Sequence, residues 1–171
     1  FNGAEQEGVG FYQLTQKDGQ RCSSARAYLH PARARPNLTV ITRALVSRVL
    51  FEGRRAVGVA YRDRDGRTVE LKARREVVLS GGAINSPQLL LLSGVGPRAE
   101  LAKHGIPLVR DLPGVGWNLQ DHLDVIVAHR ERRRASYGFA LSFLPRLVKG
   151  IIDYHRHRRG FLTSNLAEAG G

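Results

Sequence analysis

Methionine is absent from all 171 residues, and cysteine and tryptophan occur once each. A single cysteine excludes an internal disulfide framework and any zinc site built from several thiolates. No apolar run approaches the roughly 20 residues of a membrane-spanning helix, and no leader-peptide pattern opens the chain. The dinucleotide fingerprint G-x-G-x-x-G is missing, and so is the G-x-S-x-G nucleophile elbow of the serine hydrolases. Lysine is scarce, four residues against 23 arginines. The chain starts at Phe1, has no initiator methionine and ends on Ala169-Gly170-Gly171. It is therefore read as an internal piece of a larger protein.

What is present still describes a folding chain. Hydrophobic residues make up 42%, too many for a disordered basic tail, and the length suits one domain or pieces of two. Lysine and arginine total 27 against 15 acidic residues, a formal net charge of +12. Arg130, Arg132, Arg133 and Arg134 form one basic cluster. Arg156, Arg158 and Arg159 form another beside His155 and His157. Nucleic-acid binding needs charge gathered on one face, usually with aromatics for base stacking, and neither cluster is interleaved with them. A solvated face or a contact between domains is the favoured reading. A basic module for nucleic acid or acidic surfaces is the outsider.

Residues 9–15 alternate as a strand would, and Ser23 or Ser24 is placed to cap a short helix through Leu29. From Leu38 the pattern turns to β. A β-branched run covers 38–42, and alternating stretches follow at 45–51, 56–61 and 68–73. Glu52-Gly53 and Asp65-Gly66 supply the turns, so the last three stretches predict an antiparallel meander. Residues 76–80 read as a buried parallel strand running into Gly81-Gly82-Ala83. A helix capped by Asn85 or Ser86, with Pro87 at its first position, is expected next. A short helix over 98–104 ends at Gly105, and Leu112-Pro113-Gly114-Val115-Gly116 is a rigid turn. A strand over 125–128 and a helix over 141–154 complete the series.

Two stretches carry enough polar chemistry or glycine to concern a ligand. The Gly81-Gly82-Ala83 loop lets backbone amides approach a planar or anionic group, or serves simply as a tight connection. Asn118, Gln120, Asp121 and His122 bring donors and acceptors together directly after a rigid turn. They line a ligand or satisfy buried backbone groups. Asp121, His122 and Asp124 are too close in sequence to converge on a metal, so no metal is expected. Cys22, near a helix start where a thiolate is favoured, otherwise reads as a small buried residue.

Read as a string, residues 81–96, G-G-A-I-N-S-P-Q-L-L-L-L-S-G-V-G, resemble the second signature of the glucose–methanol–choline (GMC) family of FAD-dependent oxidoreductases. The resemblance extends over Gly8 to Phe11, Arg21 to Leu29, Pro36 to Val40, Arg54 to Val59, Gly105 to Pro107, Asp111 to Gly116 and Asn118 to His122. The ending Ser164-Asn165-x-x-Glu168-Ala169-Gly170-Gly171 is similar to the choline and alcohol dehydrogenase branch. The implied fold is α/β, becoming α+β in the substrate part: the centre of a GMC-type FAD-binding domain with its antiparallel meander, then the start of the substrate-binding domain. Residues 1–34 would be a substrate-side segment and connector, 35–124 part of the FAD-binding domain, and 125–171 the start of the substrate-binding domain.

By the same resemblance, backbone groups around Val46 would hold the adenine ring, and Ser80, Gly81 and Gly82 would face the dinucleotide. Asn118, Asp121 and His122 would lie close to the flavin, and Glu168 near the substrate entrance. The implied reaction oxidises a primary alcohol, choline-like or aliphatic, to the aldehyde by hydride transfer to flavin N5. A small-molecule alcohol is the expected substrate and a quinone-like carrier the expected electron acceptor. The resemblance also implies a bacterial protein, cytoplasmic or peripheral to the inner face of the membrane. The family's first glycine fingerprint and its catalytic histidine region do not occur here. His122, His129, His155 and His157 do not match that histidine, so no catalytic residue is assigned, and the piece alone is expected to be inactive.

Overall fold

A computed structural model describes residues 3–5, 7–123, 125, 141–165, 169 and 170. The chain divides into two compact units, Val40–Val125 and the remainder, Phe1–Thr39 with Ile126–Gly171.

The first unit is built on the predicted meander. Strands β1 (Leu45–Glu52), β2 (Arg55–Arg62) and β3 (Thr68–Lys72) form an antiparallel sheet in the order β1-β2-β3. Val49 of β1 and Ala60 of β2 are both buried, and because Val49 pairs in register with Val59, alternation puts the Val49 and Ala60 side chains on opposite faces of the sheet. The register slips twice, with one extra residue in β1 at Ser47 and one in β2 at Val57. At the turn between β2 and β3, the Asp63 carboxylate accepts the N–H groups of Asp65 and Arg67, each at 2.9 Å. That geometry explains why Asp65-Gly66 is so strong a turn signal. Gly58 is required because a side chain there would run into the Leu71 carbonyl of β3.

Next come α1 (Gly82–Leu92), β4 (Val95–Gly96), α2 (Arg98–Lys103) and β5 (Arg110–Asp111). Ser93 joins α1 to the sheet. Its hydroxyl donates to the Leu89 carbonyl at 2.5 Å and accepts the Val49 N–H at 2.8 Å. A backbone donor on the outer edge of β1 is thereby satisfied by a side chain instead of another strand. Strands β4 and β5 pair in parallel, Val95 with Arg110 and Gly96 with Asp111. The Asp111 carboxylate accepts the Arg98 N–H at 3.1 Å, capping α2 from outside its own sequence. Leu101 of α2, only 2% exposed, is the most buried large side chain described. On the exposed side of α2, Lys103 hydrogen-bonds Glu100 at 2.8 Å. Chiefly through that bond and the Lys103 charge, with a smaller pull from His104, the Glu100 carboxyl lies below the usual carboxylate range.

Three expectations need correction. Residues 76–80 form no strand: a parallel strand requires neighbours to pair with, no described strand lies against it, and Val78 is 74% exposed. Residues 38–42 likewise form no strand despite their β-branched content, since propensity without a partner does not make a ladder. Helix α1 starts at Gly82, not at Ser86 or Pro87. Pro87 sits inside it, with no N–H to give to the Ala83 carbonyl.

In the second unit, Gly10–Phe11 pairs antiparallel with Ala169–Gly170, so only part of the 9–15 stretch is a strand. A hairpin, Gln16–Lys17 with Gln20–Arg21, turns at Asp18 (φ 52°) and Gly19 (φ 65°), both left-handed as a two-residue turn demands. The segment Ala25–Leu29 is wound as a π-helix and continues into His30–Ala32. Ser23 accepts the Arg26 N–H at 3.4 Å, while Ser24 makes no side-chain cap. Cys22 is half-buried, and its N–H donates to the Thr15 carbonyl.

The predicted helix near 141–154 forms as a 3-10 turn, Leu141–Phe143, leading into α3 (Leu144–His157). Phe161 meets Phe143 edge to face with ring centroids 5.5 Å apart, and its ring lies where a side chain at buried Gly150 would otherwise stand. The expected strand over 125–128 lies, beyond Val125, outside the described residues, as do the Arg130 to Arg134 cluster and His129.

Candidate functional site

The first unit contains a cleft of about 830 Å³, within the size range of small-molecule and cofactor sites. One wall is the first turns of α1, from Ala83, Ile84, Ser86 and Pro87 to Leu90 and Leu91. The other is the loop Gly114 to Gln120. This second wall exists because Leu112-Pro113-Gly114-Val115-Gly116 folds into consecutive turns, the Val115 N–H donating to Leu112 and the Trp117 N–H to Gly114. The loop is held against α1 through Gly96 and Gly116, both lying close to Leu91. Most of the lining is apolar. Ile84, Trp117 and Leu119 are each about two-thirds exposed or more, at 68%, 71% and 68%.

At the head of the cleft wall, α1 begins on Gly81-Gly82. Gly82 has φ +86°, a backbone conformation that side chains resist, and nothing lies within 4 Å of where its side chain would be. The Gly81 N–H is already taken by the Ser86 hydroxyl at 2.9 Å. The remaining first-turn amides have no intrahelical acceptor, as at the start of any helix, and they favour an anionic or electron-rich group.

Of the residues expected to contact a ligand, Asn118 lines the cleft, and it adopts a left-handed φ of 58° that asparagine tolerates better than most residues. Ser80, Gly81 and Gly82 are exposed at the start of α1, next in sequence to the cleft-lining Ala83. Asp121 and His122 follow cleft-lining Gln120 without lining the cleft themselves, and the His122 N–H donates to the Asp121 carboxylate at 2.9 Å. Val46 stands apart on β1, facing Tyr61 across the sheet. Glu168 lies outside the described residues. The cleft also enlists Ala83 of the glycine loop and, with no expectation attached to them, Ile84, Leu91 and Trp117. A lone tryptophan next to a proline–glycine turn was the available signal, since so large a ring left exposed usually has something to cover it.

The GMC oxidoreductase family matches residues 1–124. The chain belongs to the GMC oxidoreductase family. It is 58% identical to the alcohol dehydrogenase (acceptor) of Pseudomonas putida, over all of this chain and 31% of that protein. It is 48% identical to an oxygen-dependent choline dehydrogenase of the same species, over all of this chain and 30% of that protein. A solved fungal aryl-alcohol oxidase superposes with a TM-score of 0.80 at 27% identity, over 96% of this chain and 29% of that one. The mixed helix-and-sheet fold with its antiparallel strands is thus that of the GMC oxidoreductases. The chain spans about a third of the length of the curated relatives it matches.

Proposed function

We propose that this GMC chain supplies part of the FAD-binding side of an enzyme that oxidises a primary alcohol, choline-like or aliphatic, to its aldehyde. The observation that carries the reading is the cleft between α1 and the Gly114 to Gln120 loop, in a chain of this family. Its residues suit a ligand with flat rings and a polar, anionic stem. Ile84, Trp117 and Leu119 offer apolar surface, and Asn118 and Gln120 offer hydrogen bonds. The start of α1 offers backbone amides beside a glycine whose side-chain space is open. Val40–Val125 belongs, on this reading, to the FAD-binding domain, and the second unit to the substrate side. Val46, Ser80, Asp121 and His122 are assigned to the cofactor's surroundings with Gly81, Gly82 and Asn118, and Glu168 to the substrate entrance.

FAD, when bound, supplies the hydride acceptor. What this chain supplies is placement. The α1 amides orient an anionic stem, Trp117 and Ile84 shield flat apolar surface from water, and Asn118 fixes one polar edge. The general base lies elsewhere in the longer protein. The relatives' names favour a dehydrogenase, and a quinone-like carrier is the proposed electron acceptor.

Substituting Gly82→Asp tests the placement. Any side chain at φ +86° is strained by about 1–2 kcal/mol, so Gly82→Ala, strained alike but uncharged, is the control for the aspartate variant. Its carboxylate would occupy the open space beside the cleft and repel an anionic stem. In the full-length protein, FAD affinity followed by flavin fluorescence should weaken by about tenfold or more, since losing one charge-assisted contact alone is worth about that much. Unchanged affinity with an intact circular dichroism spectrum would remove Gly82 from the cofactor's surroundings.

A further inference from the structure

We propose that the Ala83–Pro87 turn of α1 binds a ring edge of the ligand, the Ser86 hydroxyl donating one hydrogen bond and the Ala83 carbonyl accepting another. The inference rests on the cofactor reading of the cleft and adds contacts beyond the glycines at the helix start. Ser86 is half-buried and lines the cleft. Its oxygen accepts the Gly81 N–H at 2.9 Å, which ties the hydroxyl to the helix start. A serine inside a helix can return its proton to the carbonyl one turn earlier, as Ser93 does to Leu89. Ser86 donates to no acceptor among the described residues. Its lone pair is used and its proton is left to give.

Pro87 supplies the acceptor. It too is half-buried on the cleft wall, and it has no N–H for the Ala83 carbonyl one turn back. A proline inside an 11-residue helix weakens the helix. Its consequence here is a backbone oxygen on a cleft-lining residue with capacity for a donor from the ligand. Ala83 and Ser86, three residues apart, share one face of the helix. A donor and an acceptor so placed suit a neutral partner that carries both. A phosphate offers acceptors alone, and the carbonyl repels it. The neighbouring surface of Ile84, Leu90, Leu91 and Trp117 is apolar and suits a flat ring. The complementary group is therefore a heteroaromatic edge with an acceptor beside an N–H. Both rings of FAD, the isoalloxazine and the adenine, have such an edge.

The test titrates the full-length apoprotein with FAD. Ser86→Ala should weaken binding about three- to tenfold, the worth of one neutral hydrogen bond, and Ser86→Thr, which keeps the hydroxyl, should restore it. Pro87→Ala gives the Ala83 carbonyl a helical donor and removes a helix-weakening residue. Its urea midpoint should equal or exceed that of the wild type while FAD affinity falls about three- to tenfold. A purely structural role for Pro87 would not lower affinity without lowering stability. Two readouts identify the ring. A displaced visible band of the bound flavin in the variants marks the isoalloxazine edge. Loss of the wild type's preference for FAD over its deaminated, hypoxanthine-bearing analogue marks the adenine edge. The proposal is overturned if the wild type binds FAD and either alanine variant binds it equally, or if the Pro87→Ala midpoint falls. It is also overturned if affinity falls with neither readout moved, which would put the contact on the sugar–phosphate stem. A wild type that binds no FAD would overturn the cofactor reading itself, and this inference with it.

Discussion

Replacing Gly94 with alanine is expected to destabilise the Val40–Val125 unit by about 3 kcal/mol, the sum of a left-handed backbone penalty of about 1–2 kcal/mol and a steric term of similar size. Gly94 has φ +82°, and a side chain there would strike the Pro107 carbonyl, a backbone atom in a segment that cannot swing away. The Gly94 carbonyl meanwhile accepts both the Val109 N–H at 2.8 Å and the Arg110 N–H at 3.1 Å. Moving the loop to make room would therefore break the start of the β4–β5 ladder. Trp117, the only tryptophan, lies in the same unit and reports its unfolding by fluorescence. With a urea m-value of about 1–3 kcal/mol per molar, the midpoint should fall by about 1 M or more. A midpoint within experimental error of the wild type would mean that Gly94 and Pro107 do not approach as described.

Leu101→Ala should cost a comparable amount, about 3 kcal/mol within the 2–5 kcal/mol range for truncating a buried leucine. Among the described residues Leu101, 2% exposed, is the one fully buried large side chain, and it is held on a helix only six residues long. So short a helix is not stable by propensity, and the burial of this one side chain is what holds it in place. The α2 turn is locked on both sides of Leu101: its N–H donates to Pro97, and its carbonyl accepts from Ile106. Collapse around the cavity is accordingly limited, which keeps the cost high. The same urea titration reads the effect. Leu101→Met, which keeps the volume, should recover most of the loss, and failure of methionine to rescue would argue against a packing origin.

Parts of this architecture were legible in the sequence because the signal was local. The three meander strands followed from alternation between glycine turns, and Gly105 ended its helix as read, with φ +65°. The turn at 112–116 was equally plain, since proline and glycine restrict or free the backbone whatever surrounds them. Errors arose where partners decide. The apolar stretch 76–80 has strand composition, but a parallel strand is defined by neighbours far away in sequence. Strands β4 and β5 were invisible for the complementary reason: two residues each carry no period, and their pairing depends on Gly94 accepting from Val109 and Arg110. The start of α1 moved forward four to five residues because Ser86 caps backward onto Gly81 from inside the helix, and not from ahead of it.

The candidate site divides along the same line. Gly81, Gly82 and Asn118 stood out by residue type, and the structure sets Asn118 in the cleft and the two glycines at the head of its helical wall. The apolar part of the cleft was not legible, because Ile84 and Leu91 look like ordinary helix residues until Gly114 to Gln120 is laid beside them. Asp18-Gly19, a hairpin signal as strong as Asp65-Gly66, was passed over because its flanking strands are only two residues long.

Flavin-dependent alcohol oxidation is tested by anaerobic addition of choline or a short primary alcohol to the full-length protein, purified free of unbound cofactor, while its visible flavin absorbance is followed. Retained flavin is expected, its oxidised band bleached by the alcohol and aldehyde formed in proportion. A protein that retains no flavin, or a bound flavin that no primary alcohol reduces, would contradict it.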